Sequence, residues 1–175
     1  MADYESPTII QPSIPQTSIT PLERLLLYNM FQSELDGDKV YFFAKKWIED
    51  LIELNLNELR RAYAESVDLG GQAVAFTAKA LAAARPDDVT ITLDMTETSW
   101  EFFFQDIIAR EPGLKYVKAL SAWTCSKMKP DGFGGMAVLI TAERILGKST
   151  DDVINDFLDE VDPDGKFEEA ADEHS

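Results

Sequence analysis

Apolar positions first take on a helical period just after residue 20. Leu22, Leu25, Leu26 and Met30 recur every three to four residues, the spacing of one face of an α-helix. Thr20-Pro21-Leu22-Glu23 supplies the start: a threonine that accepts a free backbone amide, a proline suited to the first helical position, and a glutamate that returns the capping bond. Asp36-Gly37-Asp38 predicts the turn that ends this helix. Residues 39–44 (KVYFFA) are aromatic and β-branched, so they read as a strand, with 47–54 returning beside them as an antiparallel neighbour. Asn55 with Glu58 repeats the capping logic and opens a helix through Leu59, Tyr63 and Val67 toward Gly70-Gly71. The alanine-rich stretch 72–84, carrying Val74, Phe76 and Leu81, predicts another helix, stopped by Pro86.

Residues 89–93 (VTITL) alternate apolar and threonine side chains as a half-buried strand does. Thr98 and Glu101 then suggest a third capping box, followed by the broad apolar face of Trp100, Phe103, Phe104, Ile107 and Ile108 and a break at Pro112-Gly113. Strands over 115–124 and 136–141 flank the turn-rich PDGFGG segment and form the expected central hairpin. Ser149 with Asp152 caps a last helix through Val153, Ile154, Phe157 and Leu158. Residues 1–19, with Pro7, Pro12 and Pro15 and no period, are expected to be a flexible arm dispensable for folding, although Thr8-Ile9-Ile10 and Ile14 are more apolar than a spacer requires. The order of elements lacks βαβ alternation. It predicts one α+β domain over 20–160, a mixed or antiparallel sheet of about five strands with helices packed on it, and an acidic tail over 161–175.

A chain of 175 residues fits a single domain. It has no apolar run near the roughly 18 residues of a membrane span and no basic-then-apolar start, so no membrane association and a cytoplasmic location are expected. Its one cysteine, Cys125, and one histidine, His174, exclude an intrachain disulfide framework, multi-thiolate or multi-imidazole metal sites within one chain, and most His-dependent triads. No metal or cofactor is expected. The net charge is -16, and residues 151–175 hold 11 acidic side chains against Lys166. Such a chain repels nucleic acid and anionic membranes at long range and attracts basic partners. One basic island interrupts it: Arg110, Lys115, Lys118, Lys127 and Lys129 against Glu111, near Tyr116, Trp123 and Phe133. The candidate binding surface is therefore the hairpin and its island, Lys115, Lys118, Trp123, Lys127, Lys129, Phe133, Gly134 and Gly135. The glycines are expected to supply a positive backbone angle, and the acidic tail is expected to fold back over the lysines. Cations interleaved with aromatics suit a single nucleic-acid strand, but the overall acidity opposes direct nucleic-acid binding.

Residues 142–149 (AERILGKS) satisfy a relaxed phosphate-loop pattern, yet Glu143-Arg144-Ile145-Leu146 favours a short helix and Asp151 and Asp152 place negative charge where phosphate would lie. Residues 160–167 resemble half a calcium loop, but Ala171 stands where a closing glutamate belongs. Cys125 reads as a core position and not a nucleophile. Paired carboxylates such as Asp94 with Glu97 or Glu101 are a candidate for acid-base work. The segments TPLERLLL, VYFFA and CSKMKPDGFGGMAVLITA resemble a family of uncharacterised small bacterial proteins across residues 20–160. That resemblance implies a bacterial single-domain protein and attaches no activity, cofactor or site residue. The reading favoured is a non-enzymatic interaction protein whose partner is another protein, basic or nucleic-acid-binding, toward which it acts as an inhibitor or as an acidic mimic that occupies the nucleic-acid-binding partner. The alternative is a small-ligand protein or carboxylate-based enzyme.

Overall fold

The computed structural model describes residues 2–165 and 167. Eight strands form one antiparallel sheet: β1 (Tyr4–Glu5), β2 (Thr8–Gln11), β3 (Ile14–Pro15), β4 (Gln32–Asp36), β5 (Lys39–Ala44), β8 (Val117–Cys125), β9 (Gly134–Ile140) and β10 (Ile145–Ser149). The path runs β10-β9-β8-β2-β5-β3, with β1 beside β8 and β4 beside β5. A separate pair, β6 (Leu51–Asn55) with β7 (Thr90–Asp94), accompanies helices α2 (Leu56–Ser66) and α3 (Gln72–Ala83). Helices α1 (Pro21–Met30) and α4 (Trp100–Arg110) join one face of the large sheet in the core, and α5 (Thr150–Val161) is the last element among the described residues. This is a single α+β domain, with a sheet larger than the expected five strands.

Local chemistry accounts for most helix starts. Thr20 accepts the Glu23 amide while the Glu23 carboxylate accepts the Thr20 amide, and Ser149 and Asp152 do the same for α5. Asn55 caps α2 by accepting the amides of Asn57 and Glu58. The expected box at Thr98 is absent: α4 begins one residue later, and Glu101 accepts the Ser99 hydroxyl instead of a backbone amide. Ser66, fully buried at the far end of α2, accepts the Leu22 amide at 3.0 Å and so satisfies a free donor in the first turn of α1.

The N-terminal segment read as a flexible arm is part of the sheet. Strand β2 lies between β8 and β5, and Ile10 and Ile14 are fully buried. Strands of two to four residues are too short to show a period, and their partners come from far along the chain, as where Thr8 Oγ1 meets Ser121 Oγ at 2.8 Å. A second correction concerns β5. It returns to β4 through the Gly37-Asp38 turn, with Gly37 at φ +63°, while 51–55 pairs with β7. Helix α1 stops at Met30 because Phe31 turns extended and enters an edge-to-face cluster with Phe42, Trp100 and Phe104. The wholly exposed QSELD that follows has no apolar stripe to bury as helix. The stretch 143–146, read as a short helix, is instead a turn at Glu143 and Arg144, whose amides Thr141 Oγ1 accepts, followed by the first two residues of β10.

The core is apolar apart from a few polar groups, of which all but the Thr77 hydroxyl have hydrogen-bond partners. The carboxylate of Glu23, 2% exposed, pairs with the Arg110 guanidinium, tying the start of α1 to the end of α4. No helix among the described residues is long and apolar enough to cross a membrane.

Candidate functional site: the open face of the sheet

The strand registers fix what each face of the large sheet carries. On the helix side lie Ile10, Val40, Phe42, Val117, Ala119, Val138 and Ile140, all buried. The opposite face has no layer over it among the described residues. One row of paired positions crosses it as Phe43, Ile9, Leu120, Ala137 and Lys148. The next crosses as Gln11, Lys118, Leu139 and Leu146, with Tyr41 nearby on β5. A half-solvated antiparallel sheet ordinarily alternates apolar inward and polar outward. This one does not: Leu120, Leu139 and Leu146 are about 40% exposed or more, and Tyr41 stacks on Phe43 at 5.2 Å between ring centres. A depression of about 460 Å³ is lined here by Lys118, Leu120, Leu139, Leu146 and Lys148.

Lysines border this apolar ground. Lys118 stands within it and Lys148 at its β10 margin, where the ammonium pairs with Asp156 of α5. The hydrogen bond to Asp156, and then its charge, hold Lys148 above the usual lysine range.

Of the residues anticipated as a binding surface, Lys118 lies on this face and Gly135 falls on the same side of β9 as Ala137 and Leu139, while the others do not join them. Lys115 is exposed just before β8, while Lys127 and Lys129 are exposed in the turn after it. At about 3.4 Å per residue, the nine residues of β8 hold the two ends of the basic island some 30 Å apart, so it is no single patch. Trp123 projects to the helix side, its ring over Gly134, and Phe133 is partly exposed at the hairpin end. The hairpin's positive backbone angle belongs to Met128 (φ +53°), not to Gly134 or Gly135. Those two require glycine for another reason: a Cβ would lie 2.7 Å from the Trp123 ring at Gly134 and 2.9 Å from the Ser121 carbonyl at Gly135. The acidic tail expected to cover the lysines falls outside the described residues beyond Phe167, as does Ala171 of the calcium-loop pattern.

The remaining chemical candidates are engaged locally. Asp94 accepts the Thr96 hydroxyl and amide, which hold its carboxyl below the usual range. Cys125 is buried at the end of β8, its thiol lowered chiefly by the Lys129 amide against the opposing effect of burial. Among the described residues no three His, Cys, Asp or Glu side chains gather where they could hold a metal ion. A second depression, of about 600 Å³, is the seam between α1 and α2. Its Arg24, Glu58, Arg61 and Glu65 alternate in sign, and Arg24 is already bonded to the Gln16 carbonyl. An open groove of balanced charge selects for little, whereas the sheet face departs from what its architecture normally exposes.

The open face was missed in the sequence although it left a trace there. The β9 run Met136-Ala137-Val138-Leu139-Ile140 does not alternate, and continuous apolar strands are those covered on both sides. No family model, curated protein or solved structure matches the chain, so its function is read from its own geometry.

Proposed function

We propose that the protein acts by binding another protein chain and not by catalysis, and that the open face of the sheet is its recognition surface. What supports this is the uncovered apolar ground of Ile9, Tyr41, Phe43, Leu120, Leu139 and Leu146, since contiguous exposed apolar area marks interaction sites. With Lys118 and Lys148 in and beside it, the fitting occupant is an amphipathic helix whose apolar stripe meets the leucines and whose flanks are acidic.

The test uses two synthetic helical peptides with the same apolar stripe, one flanked by glutamates and one by lysines, titrated onto the full chain by fluorescence anisotropy. The glutamate-flanked peptide is expected to bind at least about tenfold tighter, and Leu139→Glu to remove that binding while circular dichroism stays native. Equal binding of the two peptides, or indifference to Leu139→Glu, would overturn the reading.

A further inference from the structure

Helix α5 is the second surface this chain leaves uncovered. Val153, Ile154, Phe157, Leu158 and Val161 share one side of it at helical spacing, and each is between 36% and 65% exposed. None of its residues is buried. The other side carries Asp151, Asp152, Asp156, Asp159 and Glu160. A stripe of five large apolar side chains cannot come from helix propensity or solubility, because charged residues would serve both at least as well. It has the form of a helix that packs on something.

We propose that the occupant of the open sheet face is α5 of a second copy of this chain, the two copies exchanging helices about a two-fold axis. This rests on the docking reading above and names its partner. The dimensions agree. Twelve residues of helix span about 18 Å, and the four spacings from β10 to β5 span about 19 Å, so one α5 covers the exposed rows from edge to edge. The chemistry agrees as well: the apolar stripe meets Ile9, Phe43, Leu120, Leu139 and Leu146, while the flanking carboxylates come beside Lys118 and Lys148. Lys148 already pairs with Asp156 within the chain, which shows that a lysine at this margin suits an α5 carboxylate. An isologous pair also closes: each copy offers one helix and one sheet face, and both of each are covered with no surface left to propagate.

Sedimentation velocity on the full chain at about 0.15 M salt, across a concentration series, reads the association directly. The wild type is expected to dimerise, and Leu139→Glu on the sheet and Phe157→Glu on the helix are each expected to weaken the dimer at least about tenfold. Both positions are exposed within one copy, and native circular dichroism of each variant excludes a folding defect. Mixing the two variants gives the sharper reading. A mixed pair keeps one intact contact, the helix of the Leu139→Glu copy on the sheet of the Phe157→Glu copy, so the mixture is expected to associate more strongly than either variant alone. A monomer at every concentration overturns the exchange, as does a dimer indifferent to either substitution, or a mixture no stronger than its parts. Each of those results leaves the docking reading to the peptide titration, where it stands or falls separately.

Discussion

Gly71 shows how one residue is fixed from two directions. It lies at φ +97°, a region L side chains rarely adopt, and a Cβ there would stand 2.6 Å from Asp106 Oδ2. That carboxylate is close because it accepts the Gln72 amide at 2.7 Å, capping α3 from α4 where Gly71 itself offers no side-chain oxygen. Gly37 shares a positive φ, +63°, but a Cβ there would meet nothing within 4 Å. Gly37→Ala is therefore expected to cost about 1 kcal/mol, the backbone strain alone, and Gly71→Ala about 2 kcal/mol or more as the cap is displaced. Urea unfolding with unchanged m-values checks the pair; equal losses would mean Asp106 yields freely. The contrast also marks what a sequence reveals. Caps at Thr20 and Ser149 were legible because donor and acceptor lie three residues apart, whereas the constraint on Gly71 arrives from another helix.

Among the elements, β2 carries the largest consequence for so few residues. It is four residues long, yet it joins β8 to β5, and without it the sheet divides into β8-β9-β10 and β4-β5. Removing residues up to Pro15 also removes Ile10 and Ile14, both fully buried and each contributing about 1.5–3 kcal/mol. A chain beginning at Ser18 is expected to lose cooperative thermal unfolding monitored by circular dichroism. A melt within a few degrees of the full chain would show that β8 and β5 close without β2. Element by element, legibility followed locality. The β8–β9 hairpin and helices α2 to α5 could be read from composition and period, with true local caps only at α2 and α5. Strands β1 to β3 could not, because their burial is decided by distant partners: β1 and β2 lie on β8, more than a hundred residues away, as at Thr8 and Ser121, and β3 lies on β5. Strand β4 was hidden by being exposed throughout and polar except at Leu35, since an edge strand needs only backbone pairing.

At the scale of the whole molecule, the candidate site was half legible: α5's apolar stripe stood in the sequence, but the face it fits exists only once β2, β5, β8, β9 and β10 are assembled. The net charge of -16 then sets how such a pair should respond to salt. Two compact chains of this length touch with centres about 40 Å apart, and sixteen charges on each repel by about 27 kcal/mol in unscreened water. Screening reduces that to about 7 kcal/mol at about 0.01 M salt and to well under about 1 kcal/mol at about 0.15 M. Contacts between Lys118 or Lys148 and the carboxylates of α5 act in the opposite sense, but they are few, exposed and screened by the same ions. The apolar contact is nearly indifferent to salt over this range. Repulsion is therefore the larger salt-dependent contribution, and the dimer is expected to tighten at least about a hundredfold between about 0.01 M and 0.15 M salt. Sedimentation at the two ionic strengths measures it. If association instead weakens as salt rises, local ion pairs and not the stripe of α5 hold the copies together, and the site of contact has to be sought where the lysines are.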